Sequence, residues 1–123
     1  ADYFLWEPRP LNIDDMKKAA ASLVGEHDFS CFRGSLCQAK SPIKTIEYIE
    51  IESSRDELII NIKANAFLHH MVRNIVGTLL KIGRGEKDVD WMDSVLDSKD
   101  RKKAGPTAEP QGLYFIKAFY KEI

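Results

Sequence analysis

The sequence lacks the features that mark membrane proteins, exported proteins and proteins with a general affinity for polyanions. No apolar run reaches the roughly 18 residues that a membrane-spanning helix needs. The first residues show no basic segment followed by a long apolar one, so no signal peptide is expected. Lysine and arginine number 18 against 19 acidic residues, which leaves a net charge of -1. Binding of nucleic acid would therefore need a local basic patch.

Cysteine is scarce, and the common nucleophile motifs are missing. Cys31 and Cys37 are separated by a spacing that fits neither a redox C-x-x-C pair nor the usual zinc site. We expect two reduced thiols of a cytoplasmic protein, with a disulfide between them as the alternative. No G-x-S-x-G segment is present and no glycine-rich loop follows a predicted strand, so neither a serine nucleophile nor a phosphate loop is indicated.

What the sequence does contain is the patterning of one globular domain. Its 123 residues are 44% hydrophobic and 30% charged, and a chain of this size can bury a single core. Apolar spacing predicts helices over 12–25, 67–82 and 89–96, a hairpin of strands over 43–52 and 58–66, an irregular loop over 26–42, and a final strand over 113–123. This order predicts an α+β fold with an antiparallel sheet covered on one face by helices.

The predicted helix over residues 67–82 has two unlike faces. One face is a continuous apolar stripe. The other face carries His70, Arg73, Asn74, Gly77 and Lys81. Glycine inside a helix costs about 1 kcal/mol relative to alanine, and close approach of another group to the backbone is a common reason to accept that cost. The polar face is either a solvated surface or the floor of an anion site, anchored by the planar guanidinium of Arg73.

The adjacent histidines of this segment, His69 and His70, do not predict a metal site. A metal-binding helix places its two histidines four residues apart, so that both lie on one face. Neighbouring positions of a helix point about 100° apart, so one helix cannot chelate a metal ion through both side chains. No metal site is therefore expected.

Two long motifs stand in a fixed order along the second half of the chain. The first is NAFLHHMVRNIVGTLLKIG, and the second is GPTAEPQGL within SKDRKKAGPTAEPQGLYF. The segments HDFSCFR and SPIKTIEYIEI precede them. Together these stretches resemble the C-terminal domain of TruA-type tRNA pseudouridine synthases. The resemblance covers residues 28–120 closely and begins more loosely at Leu11.

The resemblance implies a reaction and its partners. Members of the family isomerise uridine to pseudouridine in the anticodon stem-loop of tRNA, with an essential aspartate and with neither a metal ion nor an organic cofactor. They act as homodimers that bind tRNA across both subunits, and a cytoplasmic location is expected. The partners implied for this chain are tRNA, a second copy and the remainder of the enzyme.

The same resemblance implies that the catalytic aspartate lies outside this chain. In the family it belongs to a Gly-Arg-Thr-Asp-like segment of the N-terminal domain, and none of the ten aspartates present has that context. Residues 1–123 are therefore expected to form a single domain, the C-terminal half of a two-domain enzyme. This half would supply one wall of the active-site cleft and contacts to tRNA.

The resemblance gives roles to five residues of the two motifs. Arg73 matches the arginine that pairs with the catalytic aspartate across the cleft, where an opposite charge lowers the carboxylate pKa and fixes its orientation. Leu113 matches an apolar residue near the target base, which is compatible with its being the first inward residue of the last strand. The residues His69, His70 and Asn74 share the motif of Arg73 and are candidate substrate contacts.

Further candidates lie in the long loop and in the one dense basic run. Arg33 and Phe32 are candidate substrate contacts, although the core is the alternative place for Phe32 and for the nearby Phe29. The candidates for contact with the RNA backbone are Lys40, Arg101, Lys102 and Lys103. Phosphate contacts would make binding steeply salt-dependent, whereas a basic run is otherwise a solvated surface.

Two other functions fit the same residues. The chain is alternatively a non-catalytic RNA-binding module or a domain that holds two subunits together. The near-neutral net charge argues against strong RNA binding by this domain alone. A Gly-Arg-Thr-Asp-type segment encoded upstream would separate the enzyme from the binding module.

We predict that the isolated chain does not isomerise uridine, because it contains no aspartate in the expected context. Tritium release from tRNA that carries labelled uridine measures the reaction. Release above background by the purified chain would show that one of its own residues carries the chemistry.

Overall fold

Six strands and three helices make up the described part of the molecule. The computed structural model describes residues 2–6, 10–54, 57–108, 113–117 and 119–120, with side chains over 10–53 and 58–108. The strands are β1 (Asp2–Trp6), β2 (Gly25–Asp28), β3 (Ile43–Ser54), β4 (Glu57–Ala64), β5 (Leu113–Lys117) and β6 (Phe119–Tyr120). The helices are α1 (Ile13–Ala21), α2 (Met71–Gly83) and α3 (Asp90–Ser98), and short 3-10 turns cover Ser30–Phe32 and Arg101–Lys103.

All of these strands belong to one sheet. Five follow the order β2-β3-β4-β1-β5 with every neighbouring pair antiparallel, and β6 runs parallel to the end of β4. Strand β1 lies inside the sheet, where Phe4 is opposite Ile59 on one side and Tyr114 on the other. The N-terminal strand therefore joins the central hairpin to the last strands of the chain.

The hairpin of β3 and β4 buries one face of the sheet. The buried side chains of β4 are Leu58, Ile60, Ile62 and Ala64, as the alternation predicts. In β3 the register shifts between Ile46 and Tyr48, and this bulge lets Ile46 face the core together with Ile49 although three positions separate them. The hairpin is confirmed. It extends further towards its turn than predicted, since Ser54 pairs with Glu57, and β4 ends at Ala64, two residues before its predicted end; residues 55 and 56 lie outside the described residues.

The helices complete a single core on this face. Asn12 caps α1 as predicted, because its side chain accepts a hydrogen bond from the Asp15 amide at 3.1 Å. The Asn12 amide donates to the Gly83 carbonyl at 2.7 Å, which ties the start of α1 to the end of α2. Buried residues of the three helices and of the hairpin form one cluster. The predicted α+β fold is confirmed. No helix in the described ranges is long and apolar enough to cross a membrane.

Two strands lie where the apolar pattern predicts none. Strand β1 has no counterpart among the predicted elements. Helix α1 ends at Ala21, four residues before its predicted end, and β2 runs from Gly25 into the stretch that is predicted to be an irregular loop. The backbone of β2 pairs with β3, from Gly25 opposite Ile46 to Asp28 opposite Ile43. The prediction of an irregular loop is wrong where β2 lies, and the sequence pattern makes no prediction for β1. In both cases pairing with a neighbouring strand, rather than an alternating apolar pattern, makes the strand.

Helix α2 begins four residues later than predicted, at Met71. His70 has φ +60°, a left-handed conformation that residues other than glycine rarely adopt, so the helix cannot extend back through it. His69 and His70 lie on a turn, and the prediction that they occupy helix positions is wrong. Their rings stack instead, with centroids 4.0 Å apart and planes inclined by 27°.

The end of α2 and the start of α3 agree with the sequence pattern. Helix α2 ends at Gly83, and the Gly85 amide, in a residue with φ +79°, donates to the Ile82 carbonyl at 3.0 Å. At the start of α3 the Asp88 carboxylate accepts a hydrogen bond from the Trp91 amide at 3.0 Å. The predicted glycine stop and acidic start are confirmed.

Gly77 lies where another part of the chain touches α2. A Cβ built on Gly77 would stand 1.7 Å from the carbonyl oxygen of Pro106. Gly105 is also closely packed, although less tightly, since its Cβ would stand 2.8 Å from the Cα of Thr78. The predicted close approach is confirmed, but the approaching group is the chain itself. Gly77 is therefore not the floor of an anion site.

The two cysteines have different surroundings. Cys31 is fully buried, and desolvation raises the pKa of its thiol to about 12. Cys37 is half-buried, and its sulfur accepts a hydrogen bond from the His69 amide at 3.4 Å. Partial burial raises the pKa of Cys37, but main-chain N–H donors and the charge of Arg33 outweigh it, so the net pKa lies below the ordinary thiol value. Both are free thiols, as predicted.

Gly77→Ala is predicted to destabilise the domain by about 1–3 kcal/mol, because the clash with Pro106 outweighs the roughly 1 kcal/mol that alanine contributes to an open helix position. Urea unfolding followed by circular dichroism measures the change. Lys81→Ala, on a half-exposed side of the same helix, should change the stability by less than about 0.5 kcal/mol. A Gly77→Ala chain as stable as the parent would show that the contact is not tight.

Iodoacetamide near neutral pH is predicted to modify Cys37 and to spare Cys31 in the folded chain, because the thiolate is the reacting species. The rate at Cys37 should rise through a lower pH range than that of an unperturbed thiol, whose pKa is about 8.5. Peptide mass spectrometry locates the label, and Cys37→Ser should abolish it. Equal labelling of both cysteines without denaturant would contradict the two pKa directions.

Candidate functional site

Three segments that are distant in sequence meet at the first turn of α2. We name this place the α2 junction and define it as residues 29–40, 69–74 and 101–108. The Gly34 amide donates to the His69 carbonyl at 2.8 Å, and a Cβ on Gly34 would stand 2.9 Å from the His69 ring. Nearly all the candidate residues of the sequence lie in this junction; Leu113 is the exception.

Arg73 and Ala108 hold each other through both main-chain groups of the alanine. Nε and Nη2 of Arg73 donate to the Ala108 carbonyl at 3.1 and 2.9 Å. The Ala108 amide donates to the Arg73 carbonyl at 3.0 Å. Arg73 is half-buried, and its Nη1 makes no hydrogen bond within the described residues. The edge that carries Nη1 can therefore bind a carboxylate or phosphate group.

The side chain of Asn74 joins all three segments, although only 1% of the residue is exposed. Its Nδ2 donates to the Phe32 carbonyl at 2.8 Å. Its Oδ1 accepts from Arg101 Nη2 at 3.0 Å and from the Thr107 hydroxyl at 2.5 Å. The prediction that Asn74 lies on an open polar face is wrong, because the segment over 101–108 covers it and occupies its amide.

Gly105 is held from two sides within the junction. Its amide donates to the Thr78 hydroxyl at 2.9 Å, and Arg101 Nη1 donates to its carbonyl at 2.7 Å. Arg101 Nη2 also donates to the Thr107 hydroxyl at 3.1 Å. Arg101 is half-buried, whereas the two lysines that follow it are exposed. The basic run therefore splits into one inward arginine and two outward lysines.

His69 and His70 are exposed side by side, one helical turn before Arg73. Partial desolvation, followed by the charges of His69 and Arg73, lowers the pKa of His70. A neutral imidazole at pH 7 follows for His70. The stacked rings present a flat surface beside an arginine, which suits contact with an unpaired base. Among the described residues, no three His, Cys, Asp or Glu side chains could hold a metal ion.

Arg33 and the two phenylalanines of the junction face inward. Arg33 Nη2 donates to the Ala39 carbonyl at 2.6 Å, which folds the loop back on itself. Phe29 and Phe32 are fully buried, with ring centroids 6.4 Å apart. The core place for both rings is confirmed, and a substrate contact by the Phe32 ring would require this packing to open.

The remaining candidates lie on the surface or at its edge. Lys40, Lys102 and Lys103 are exposed, so their amino groups are accessible to phosphate. Leu113 is the first residue of β5 and lies opposite Leu5 of β1. The Leu113 side chain is outside the described set, and its place near a base stays a prediction.

Thr107 and Ala108 in the junction, and Thr78 beside it, are not indicated by the sequence pattern. Thr78 falls among apolar helix residues, and the other two fall in a segment that reads only as turn-rich. The available signal was the pair of glycines, Gly77 and Gly105. A glycine at each position lets the backbone of the other element approach closely, Pro106 at Gly77 and Thr78 at Gly105.

Similar proteins share one description. The model of a family described as tRNA pseudouridine synthase matches residues 19–121. The chain is 50% identical over 117 residues to tRNA pseudouridine synthase A of Nitrosococcus oceani, an alignment that covers 95% of the chain and 45% of that protein. It is 47% identical over 120 residues to tRNA pseudouridine synthase A of Pseudomonas aeruginosa, with 98% and 42% covered.

A third relative, tRNA pseudouridine synthase A of a Janthinobacterium species, is 51% identical over 115 residues, which is 94% of the chain and 42% of that protein. The chain thus spans less than half the length of the curated relatives that it matches. The matched residues include both motifs and every segment of the α2 junction. From this match we conclude that the chain belongs to the tRNA pseudouridine synthase family.

Proposed function

We propose that this chain is part of a longer enzyme that isomerises uridine to pseudouridine in the anticodon stem-loop of tRNA, and that it supplies one wall of the active-site cleft. Membership of the family supports the reaction. The observation that carries the role of this chain is the guanidinium of Arg73. The Ala108 carbonyl holds one edge of it, and the edge with Nη1, which makes no hydrogen bond within the described residues, is proposed to bind an anion.

Arg73 is suited to hold a carboxylate that comes from another domain. The two bonds to Ala108 restrict the guanidinium before the ligand arrives, so little side-chain freedom remains to be lost on pairing. The remaining N–H groups form charge-assisted hydrogen bonds to the carboxylate. The positive charge lowers the carboxylate pKa and keeps the group ionised at neutral pH.

The tRNA surrounds this arginine in the proposed complex. The proposed substrate contacts are Lys40, His69, His70, Lys102, Lys103 and Leu113. The stacked imidazoles offer a flat surface to a base, and the exposed lysines neutralise phosphates. Leu113 forms an apolar wall for a base taken out of its stack. The inward residues Phe32, Arg33 and Asn74 act by shaping the loop and the helix start.

The complete enzyme is proposed to be a cytoplasmic homodimer whose N-terminal domain carries the catalytic aspartate. Two findings support a residue outside this chain. None of the ten aspartates present lies in a Gly-Arg-Thr-Asp context, and the chain spans less than half of its relatives. The proposed reaction uses neither a metal ion nor an organic cofactor.

In the longer enzyme, Arg73→Ala is predicted to lower single-turnover pseudouridine formation by at least about 100-fold, because the catalytic carboxylate loses its charged partner. Stability should fall by only about 1–3 kcal/mol, the cost of an unpaired Ala108 carbonyl. Tritium release and thermal unfolding measure the two effects. The control is Lys17→Ala, which removes one exposed charge from α1 and should change neither.

Two further readouts separate catalysis from structure. Arg73→Lys keeps the charge but lacks the planar fork, so stability should return towards the parent while turnover stays at least about 10-fold low. In Arg73→Ala the carboxylate pKa should rise, so activity should be lost at a higher pH as the solution is acidified. Equal losses of folding and turnover would indicate a structural arginine, and tRNA binding without any isomerisation by the longer protein would favour the binding module.

A further inference from the structure

We propose that Arg101, acting through Asn74 and Thr107, is a positioning residue for Arg73 rather than a phosphate contact. This inference rests on the catalytic role proposed for Arg73. Arg101 fixes the segment over residues 105–108 on α2, and the end of that segment holds the guanidinium in its working orientation. The basic run over residues 101–103 thus contains one arginine whose role is to bind other groups of the protein rather than RNA.

The guanidinium of Arg101 has three hydrogen-bond acceptors around it. Its Nη1 donates to the Gly105 carbonyl at 2.7 Å, and its Nη2 donates to Asn74 Oδ1 at 3.0 Å and to Thr107 Oγ1 at 3.1 Å. Nη2 therefore donates to two acceptors inside the protein and Nη1 to one. A phosphate contact by this face of the guanidinium would break bonds that are already made.

Hydrogen bonds connect Arg101 to the segment that ends at Ala108. Arg101 binds the segment at Gly105 and at Thr107, and the Thr107 hydroxyl in turn donates to Asn74. The next residue along the chain is Ala108, whose carbonyl accepts both hydrogen bonds from the Arg73 side chain. A shift of this segment would therefore move the group that orients the guanidinium.

The segment over residues 105–108 packs tightly against helix α2. Pro106 lies directly on Gly77, where a single added carbon would overlap its carbonyl oxygen. The Gly105 amide is also bound to Thr78. The contacts at Gly77 and Thr78 hold the segment over residues 105–108 against the helix. The hydrogen bonds from Arg101 restrict the movements that these contacts leave possible. Placement errors of about 1 Å near a reacting centre can cost about 100-fold in rate.

The test compares Arg101→Lys with the parent in the longer enzyme. An ammonium cannot reach three acceptors in the geometry of a planar fork. We expect the single-turnover rate to fall by at least about 10-fold, with tRNA affinity within about 2-fold of the parent. Thr107→Val removes the bridging hydroxyl at nearly constant volume and should act in the same direction, while Thr107→Ser should recover most of what Thr107→Val loses. Lys17→Arg, the reverse exchange on an exposed site of α1, is the matched control.

A double-mutant cycle shows whether Arg101 acts through Arg73. If it does, Arg101→Lys should cause no further loss of rate when Arg73 is already alanine. Amide hydrogen exchange supplies a readout that does not depend on activity. The Ala108 amide, which donates to Arg73, should exchange at least about 10-fold faster in Arg101→Lys and at the parent rate in Lys17→Arg.

Several results would overturn the inference. A weaker tRNA affinity with a shallower salt dependence and an unchanged rate would make Arg101 a phosphate contact. A loss that multiplies with that of Arg73→Ala, or an unchanged exchange rate at Ala108, would also refute it. If Arg73→Ala keeps full turnover, the proposed function fails and the positioning role falls with it. Unchanged exchange in Arg101→Lys, by contrast, removes the positioning role alone.

Discussion

The buried amide of Asn74 is the interaction on which the candidate site depends. It binds the Phe32 carbonyl on one side, and Arg101 and Thr107 on the other. A buried polar group left without its partner costs about 1–3 kcal/mol, so none of the three segments can leave without penalising the others. Hydrogen bonds connected in this way reinforce one another. Loss of one segment of the α2 junction is therefore expected to weaken the attachment of the other two.

Helix α2 serves the core and the site with different parts of its surface. Its apolar side chains join the single core beneath the sheet. The side that looks polar in sequence is covered for most of its length by residues 105–108, which leaves the first turn as the part with accessible functional groups. Arg73 stands at that boundary, with its main chain and part of its guanidinium committed to Ala108. The orientation of the Arg73 side chain is thus restricted by Ala108, which belongs to the segment that packs against α2.

The elements with an apolar rhythm of their own could be predicted from the sequence. Strand β4, the capped start of helix α1 and the glycine end of α2 are examples. Strands β1 and β2 could not, because they exist through pairing with a partner whose position depends on the whole sheet. The start of α2 was missed since a left-handed His70 leaves no mark in the pattern of apolar residues.

The candidate site divides in the same way. Residue type and spacing marked Arg73 as the anchor of an anion site and left a solvated surface open as the alternative, and its catalytic role comes from the resemblance and stays a prediction. The close contact at Gly77 followed from residue type and spacing, whereas the identity of the contacting group did not. A glycine within one helix indicates that another group approaches the helix backbone closely, but it does not show which distant segment supplies that group. The inward direction of Arg101 was also invisible, because three consecutive basic residues look alike until the acceptors around each are known.

The seat of Pro106 against the bare backbone at Gly77 has a consequence for how such chains can vary. The two motifs are separated along the chain, yet they pack directly against each other at Gly77 and Pro106. A side chain at position 77 demands a displaced segment, and a displaced segment releases Arg73. The turn over residues 85–88 between them is exposed throughout. Insertions and deletions can accumulate there while both motifs stay unchanged, so length should drift in the connection long before composition drifts at the contact.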